Sequence, residues 1–130
     1  MQHVIIGAGP AGVIAAENLR KYDPSSKIQI IGDEVEQPYS RMALPYYLNN
    51  KIKEEGTYLR KSGDHFSVSG IEVVQDRVSA VDTKSLSLKM EKGGQLSFDK
   101  LLIATGSHPV RPPIPGMDLE GVHSCWTLED

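Results

Sequence analysis

A glycine-rich turn near the N-terminus has the residue types and spacing best suited to chemistry. Gly7, Gly9 and Gly12 form a G-x-G-x-x-G motif. The apolar run Val4–Ile6 precedes the motif, and a helix-like run follows it. This order predicts binding of a dinucleotide diphosphate, because the glycines allow a tight turn, close approach of the phosphates and close helix packing. A plain connector between a strand and a helix is the alternative interpretation of the motif alone.

The predicted helix begins inside the motif. Pro10 and Ala11 stand at its first positions, and proline fits there because its missing N–H would have no helical partner. The free N–H groups and partial positive charge of a helix N-terminus attract an anion. The phosphates of a ligand are therefore expected against this turn.

Two acidic residues stand at the end of a second predicted short strand, Lys27–Glu34. Asp33 lies about 20 positions after Gly12, near the spacing at which a carboxylate accepts a hydrogen bond from the adenosine ribose. Gly32 separates the apolar residues of this strand from the acids, so the sequence does not choose between Asp33 and Glu34. The alternative to ribose binding is that both acids only cap a solvated turn.

Composition narrows the class of protein. The 130 residues suffice for one domain but are few for a complete cofactor enzyme. A net charge of −3 gives no electrostatic case for nucleic acid or an anionic membrane as partner. The single cysteine, Cys125, excludes an internal disulfide. With no leader pattern and no apolar run near ~20 residues, a soluble cytoplasmic protein is expected.

Beyond the second strand the pattern changes. A short helix is predicted from about Met42 to Leu48, and a weaker helical signal covers Lys61–Ser69. From Ile71 to Ala80 the period is two, interrupted by Asp76. Together with Ser85–Met90 and Gln95–Phe98, this stretch predicts three antiparallel strands in succession, a β-meander.

The chain then returns to a continuous apolar run, Leu101–Ala104, which predicts a strand buried on both faces. A proline-rich exit segment follows it. A nicotinamide dehydrogenase domain would continue with further βα units after the second strand, so the meander disfavours that class.

Four segments in this order resemble the pyridine nucleotide-disulfide oxidoreductase superfamily: Gly7–Gly12, Ile31–Glu34, Pro38–Arg41 and Leu101–Gly106. The resemblance covers nearly the whole chain. It is closest to the flavoprotein branch containing rubredoxin and ferredoxin reductases, NADH oxidases and the flavin part of assimilatory nitrite reductases. It implies an α/β fold: a Rossmann-like FAD-binding domain with a central parallel sheet and a three-stranded antiparallel meander.

The resemblance also implies a role for each part of the cleft. The glycine turn would hold the FAD pyrophosphate, Arg41 would reach the flavin or its phosphates, and the backbone of Val78 would meet the adenine. For Arg41 the alternative is a solvated arginine in a loop. For Tyr46 the alternatives are a flavin contact and a side chain that only packs. No metal and no general acid or base is implied. The full set is Gly7, Gly9, Pro10, Ala11, Gly12, Asp33, Glu34, Arg41, Tyr46, Val78, Ala104, Thr105, Gly106 and Arg111.

Two positions depart from the pattern of relatives. Tyr46 replaces a lysine that often lies near the flavin, and Met42 replaces the redox cysteine of peroxide- and disulfide-reducing relatives. Because a thioether forms neither a sulfenic acid nor a mixed disulfide, thiol chemistry is not expected there. Cys125 is expected to be a buried or inert thiol.

The resemblance implies that residues 1–130 are the N-terminal part of a longer enzyme, because no second G-x-G-x-x-G for an NAD(P)H domain occurs. The full-length protein would pass electrons from NAD(P)H through FAD to rubredoxin, ferredoxin, oxygen or a nitrite reductase component. Three alternatives stay open: an NAD-binding dehydrogenase domain, a non-catalytic flavin-binding module, and a chain that holds no cofactor. Uncovered apolar surface predicts self-association, such as a homodimer.

Overall fold

The computed structural model describes residues 1–130 and contains two β-sheets with helices packed on the larger one. The strands are β1 (Gln2–Ile6), β2 (Lys27–Gly32), β3 (Ile71–Gln75), β4 (Val78–Asp82), β5 (Ser87–Met90), β6 (Gln95–Ser97) and β7 (Lys100–Ile103). The helices are α1 (Pro10–Tyr22), α2 (Leu44–Leu48) and α3 (His65–Val68), with 3₁₀ turns at Arg41–Ala43 and Glu54–Gly56. No helix is long and apolar enough to cross a membrane.

The larger sheet has four parallel strands in the order β3-β2-β1-β7. Ile5 lies at its centre, paired with Ile30 of β2 on one side and with Leu102 of β7 on the other. Parallel neighbours need a crossover connection, and α1 supplies it between β1 and β2. The predicted α/β class with a central parallel sheet is confirmed.

Helix α1 begins where the sequence predicts. Gly9 is its N-cap and Pro10 its first residue, and the N–H of Asp23 closes the last turn on the carbonyl of Leu19. Its buried face consists of small or branched residues: Gly12, Val13 and Ala16. This face packs on the sheet and forms a core whose buried members are Ile5, Val13, Ala16, Ile28, Ile30, Phe66 and Ile71.

A second core lies on the opposite face of the parallel sheet. Strands β4, β5 and β6 form an antiparallel sheet in sequence order, with Leu88 paired to Val81 and to Leu96. On its inner side Leu88, Met90 and Phe98 form one buried cluster with Val4 and Ile31 of the parallel sheet. Burying each of these large side chains contributes ~1.5–3 kcal/mol. The predicted three-stranded meander is confirmed.

The start of that meander was predicted too early. The alternating stretch from Ile71 is two strands: β3 joins the parallel sheet, and only β4 belongs to the meander. Asp76 makes the break. Its N–H donates to the carbonyl of Gly32, and its Oδ1 accepts the N–H groups of Arg77 and Lys92. These bonds end the ladder and turn the chain between the sheets.

The expectation that Leu101–Ala104 is buried on both faces is wrong. Strand β7 pairs only with β1 and forms the sheet edge. Leu102 is 41% exposed and Ile103 63% exposed, whereas Leu101 and Ala104 are partly buried against the two cores. Residues 101–104 therefore contribute apolar surface as well as core.

Short helices occupy both predicted regions, with narrower bounds. The Met42–Leu48 prediction corresponds to a 3₁₀ turn followed by α2, and the Lys61–Ser69 signal shrinks to α3. Flanking hydrogen bonds explain the late start of α3. The N–H of His65 still bonds in a turn to Ser62, and the N–H of Val68 is the first to reach four residues back, to Asp64.

An ionic cluster ties the connector before α3 to helix α1. Arg60 donates from Nε and Nη2 to the carboxylate of Glu17, at 2.6 and 2.5 Å, and His65 Nε2 lies 2.8 Å from the same carboxylate. The hydrogen bond from Arg60, and then that from His65, hold the pKa of Glu17 below its usual value, against the opposing effect of burial. The cluster stabilises the packing of residues 60–65 against α1.

Candidate functional site: a cleft at the carboxyl ends of the parallel strands

A cleft of about 730 Å³ opens at the carboxyl ends of the parallel strands. In open α/β sheets this edge is where ligands bind. The strand ends supply Ile6, Ile31, Gly32 and Gln75 to its walls. Eleven of the predicted site residues also line it: Gly7, Gly9, Pro10, Ala11, Asp33, Glu34, Arg41, Val78, Ala104, Thr105 and Gly106.

Gly7 is required by the fold itself. Its φ is +116°, and a Cβ at this position would lie 2.2 Å from the carbonyl oxygen of Ala104. Hydrogen bonds hold the turn in place, from Gly7 N to Ile31 O at 2.8 Å and from Ala104 N to Ile6 O at 2.7 Å. The turn and the return segment after β7 are therefore in direct backbone contact.

Gly12 is also required by the fold, and it lies behind the cleft. A Cβ at Gly12 would be 2.0 Å from the carbonyl oxygen of Gly7. The absence of a side chain allows α1 to approach the turn, as the sequence predicts. Gly12 does not line the cleft, so its contribution to a ligand site is through the shape of the turn.

Gly9 differs from both. Its φ is −78° and its ψ −177°, an extended conformation that any residue adopts. Nothing lies within 4 Å of the position that a Cβ would take. Neither backbone conformation nor packing within the chain requires glycine here. A side chain would instead occupy space in the cleft, and that is the space a ligand at the turn needs.

No side chain of the helix neutralises the partial positive charge at the N-terminus of α1. The 13-residue helix has no side-chain cap hydrogen bond at Gly9 and no acidic residue in its first turn. Its first N–H groups have no intrahelical acceptor, and Gly9, Pro10 and Ala11 line the cleft. The arrangement leaves a partial positive charge facing the cleft, which suits phosphate oxygens.

The two acids after β2 lie beside this turn but have different surroundings. A Cβ at Gly32 would lie 2.8 Å from the Cβ of Ala8, which brings the end of β2 against the glycine turn. The carboxylate of Glu34 accepts hydrogen bonds from Tyr39 and Arg41. Asp33 is exposed and makes no hydrogen bond within the chain. Both side chains are available to the cleft, and which of them binds a ribose stays a prediction.

Tyr39 connects the acid loop to the exit segment. It is 6% exposed; its hydroxyl donates to Glu34 and accepts the N–H of Leu128 at 3.2 Å. Burial, followed by the hydrogen bond to Glu34, raises the pKa of Tyr39 to about 12. Sequence reasoning did not identify Tyr39 as part of the site. Its place in Pro38–Arg41, beside Arg41, was the available signal.

Arg41 lies between an acid and two aromatic rings. Besides the ion pair with Glu34, its guanidinium carbon is 4.9 Å from the ring centroid of Trp126 and 5.9 Å from that of Tyr39. Trp126 was not predicted. It lies far along the chain from Arg41, and no local pattern indicates the contact; the signal that exists is that it is the sole tryptophan.

Further lining residues come from the loop after β3 and from both ends of the exit segment. Asp76 and Arg77 precede the predicted Val78, and Ser107, His108 and Thr127 complete the wall. None of these five was predicted. The signal for Asp76 was its interruption of the apolar alternation, which marks the turn that enters the cleft.

Besides Gly12, which lies behind the turn, two predicted residues lie outside the cleft. Tyr46 is 54% exposed on α2. Arg111 lies in the exit segment. Its Nη1 is 3.8 Å from Oδ1 of Asp118 and 3.5 Å from the carbonyl oxygen of Met117. Their roles toward a ligand stay predictions, because residues 1–130 do not bring them to the other site residues.

Cys125 was expected to be buried or inert; it is exposed, so the buried alternative is wrong. The carboxylate of Asp130 accepts the N–H groups of Trp126 and Thr127, at 2.5 and 3.0 Å, and folds this segment into a turn. The turn directs Trp126 toward Arg41 and leaves Cys125 on the solvent side. No group of three or more His, Cys, Asp or Glu side chains has an arrangement that could hold a metal ion.

The sequence profile of the pyridine nucleotide-disulphide oxidoreductase family matches residues 1–130. The chain is 35% identical to an NADH oxidase of Methanocaldococcus jannaschii, covering 100% of this chain and 30% of that protein. It is 38% identical to a probable ferredoxin reductase of Castellaniella defragrans, and the match covers 98% of this chain and 31% of that protein. The solved structure of an NAD-dependent persulfide reductase from A. fulgidus superposes with a TM-score of 0.91 at 29% identity. The superposition covers 99% of this chain and 25% of that one. The chain thus spans about a third or less of the length of these relatives.

Proposed function

The chain belongs to the pyridine nucleotide-disulphide oxidoreductase family, and on that premise we propose that residues 1–130 are the N-terminal part of an FAD-binding domain. The single observation that carries this proposal is Gly9. It is a glycine that neither the backbone conformation nor the packing of the chain requires, and it stands at the wall of the cleft. A bulky diphosphate against the turn explains why a side chain is absent there.

The remaining cleft residues fit the other parts of FAD. The uncapped α1 N-terminus offers N–H groups to the pyrophosphate. Asp33 or Glu34 would accept hydrogen bonds from the adenosine ribose, and Val78 would meet the adenine through its backbone. Arg41 carries the positive charge at the other wall. The meander that follows β3, which a nicotinamide dehydrogenase domain would not insert at this point, favours FAD over NAD as the resident ligand.

In the whole protein we propose an FAD-dependent NAD(P)H oxidoreductase. Bound FAD supplies the hydride and electron transfer chemistry, and the protein binds and orients it. The relatives named as an NADH oxidase and a ferredoxin reductase support oxygen or a ferredoxin as acceptor. Rubredoxin and a nitrite reductase component stay alternative acceptors. Within residues 1–130 the side chains bind and orient; none is proposed to move a proton.

The absorption spectrum and thermal stability of the purified chain test the FAD proposal. We expect flavin bands after reconstitution and a rise in melting temperature with FAD, because a ligand that binds only the folded state stabilises it. NADH in place of FAD should give a smaller rise. The absence of flavin bands together with an unchanged melting temperature would refute FAD binding by this chain, and a larger rise with NADH would favour an NAD-binding domain.

A further inference from the structure

Asp76 is a buried carboxylate in the wall of the cleft, and one of its two oxygens has no partner. Its Oδ1 accepts the N–H groups of Arg77 at 2.7 Å and Lys92 at 3.1 Å, which closes the turn between β3 and β4. Its Oδ2 makes no hydrogen bond in the chain and keeps accessible surface. Since Asp76 is only 9% exposed and lines the cleft, this free oxygen faces the cleft.

No ion pair of the chain includes this carboxylate. The ammonium group of Lys92 donates to the carbonyl oxygen of Gln75 at 2.7 Å, and the side chain of Arg77 is exposed. A carboxylate oxygen only accepts hydrogen bonds, and polar groups in buried positions are normally paired. The free oxygen of Asp76 therefore suits a ligand group that donates an N–H or O–H.

The order of the strands places Asp76 at one end of the ligand. The sheet runs β3-β2-β1, so the carboxyl ends of its strands carry, in that order, Asp76, the acids Asp33 and Glu34, and the turn at Gly9. The N–H of Asp76 donates to the carbonyl of Gly32 at 2.9 Å, immediately before the two acids. With the diphosphate at the turn and the ribose at the acids, the base of the ligand extends one strand further, to the end of β3.

We propose that Asp76 determines which base the cleft accepts, because its free oxygen accepts a hydrogen bond from the 6-amino group of adenine. This inference rests on the proposed function. A 6-amino group donates an N–H, whereas a carbonyl at the same position of the base presents another acceptor. Two acceptors that face each other repel, so the carboxylate favours adenine and disfavours hypoxanthine and guanine. The backbone contact proposed for Val78 is a separate one, since a substitution of the Asp76 side chain leaves the peptide groups of Val78 in place.

The substitution Asp76→Asn tests this role, because it changes the group that faces the base. The amide can keep its oxygen on the N–H groups of Arg77 and Lys92 and turn its NH₂ toward the cleft, so that a donor replaces an acceptor. Calorimetry measures the dissociation constants of FAD and of its hypoxanthine analogue, which has a carbonyl in place of the 6-amino group and is otherwise identical.

The wild-type chain should bind FAD about tenfold or more tightly than the analogue, the effect of one hydrogen bond to a charged group. In Asp76→Asn this ratio of affinities should fall by about tenfold or more, because the new donor opposes the amino group and pairs with the carbonyl. The ratio separates a contact with the base from support of the turn. A loosened turn would weaken the binding of both ligands equally and leave the ratio unchanged.

Asp82→Asn is the matched control. The Oδ1 of Asp82 also accepts two backbone N–H groups, from Lys84 and Ser85, but this turn of the meander lies outside the cleft. The substitution should therefore leave both constants unchanged. Asp76→Thr is the second variant, and it carries the test if Asp76→Asn does not fold. Its hydroxyl oxygen can still accept an N–H of the turn, but no carboxylate faces the base, so the ratio should fall.

An unchanged ratio in folded Asp76→Asn, or in Asp76→Thr where the first variant is unfolded, would overturn the role of Asp76 and leave the proposed function intact. Equal affinities of the wild-type chain for FAD and the hypoxanthine analogue would do the same, whatever the variants show. A wild-type chain that binds neither ligand would refute the proposed function, and this inference with it.

Discussion

The carbonyl oxygen of Gly7 lies 2.0 Å from the point where a side chain on Gly12 would begin. The first residue of the turn and the buried face of α1 are thus in backbone contact. The close approach leaves no space that a neighbour could vacate, because the nearest atoms belong to the main chain rather than to a flexible side chain. It fixes the angle at which α1 leaves the turn.

Gly12→Ala should therefore destabilise the fold. We expect the free energy of unfolding to fall by ~2 kcal/mol or more, because the methyl group forces the helix away from the turn and opens the core around Val13 and Ala16. Urea unfolding followed by circular dichroism measures this. A loss well below 1 kcal/mol would show that α1 can shift without disturbing the core.

Gly9→Ala should leave the stability of the fold nearly unchanged and weaken FAD binding instead. Since nothing lies near its Cβ position, the free energy of unfolding should change by no more than ~1 kcal/mol, the range for a changed N-cap residue. FAD affinity should fall by about tenfold or more, equivalent to ~1.4 kcal/mol. Gly63→Ala is the control, because Gly63 also has no neighbour within 4 Å and lies outside the cleft. Equal FAD affinity for both variants would contradict a diphosphate at the turn.

Features that depend on local spacing could be predicted from the sequence, and features that depend on distant contacts could not. The motif Gly7–Gly12, the acids at 33 and 34 and the meander follow from local spacing, and the structure brings the turn and the acids together. Strand β3 could not be separated from β4 by periodicity, because the break at Asp76 depends on hydrogen bonds to residues distant in sequence, Gly32 and Lys92.

The exit segment was the least predictable part. Its proline-rich sequence has no period, so nothing local indicates that Trp126 and Leu128 return to Arg41 and Tyr39. The exposure of β7 was missed for a related reason. An apolar run specifies a strand but does not say which other elements cover it.

Glu34→Gln should weaken FAD binding more than Asp33→Asn does. Glu34 orders Arg41 and Tyr39 through charge-assisted hydrogen bonds, whereas Asp33 has no partner in the chain. We expect about a tenfold loss for Glu34→Gln. Flavin fluorescence titration measures both constants. A larger loss for Asp33→Asn would identify Asp33 as the ribose acid and would make the Glu34–Arg41 pair dispensable for binding.

The cluster of Glu17, Arg60 and His65 predicts acid sensitivity of the fold. Because its hydrogen bonds favour the ionised form, the folded pKa of Glu17 lies below its usual value, and the folded state binds fewer protons than the unfolded state. This contribution is fully present above about pH 4.5 and is lost as the pH falls through the lowered pKa.

Glu17→Gln should therefore lower the free energy of unfolding at neutral pH and make it depend less on pH below about 4.5. Urea unfolding across that range measures the slope. Glu91→Gln removes an exposed carboxylate without a hydrogen-bond partner and should leave the slope unchanged. Equal slopes for wild type and Glu17→Gln would show that the cluster contributes nothing to acid stability.

The uncovered edge at β7 predicts concentration-dependent self-association of residues 1–130. Leu102 and Ile103 expose apolar surface beside a row of unpaired backbone groups, which favours pairing between chains. Sedimentation velocity over a range of concentrations should show species larger than a monomer. Ile103→Lys should reduce them and Val81→Lys, on the separate meander sheet, should not. A wild-type monomer at every concentration would contradict this prediction.

The contact between Gly7 and Ala104 has a consequence for protein synthesis. A ribosome releases the turn long before it releases β7, yet the turn is braced by the carbonyl of Ala104 and by β1 pairing with β7. Sheets built from pairings between distant segments form late. A nascent chain that has not yet exposed residue 104 therefore has the glycine motif without the shape that binds. Under the proposed function, FAD can therefore bind only after that residue is released, and a translational pause before it would delay binding without changing any side chain of the site.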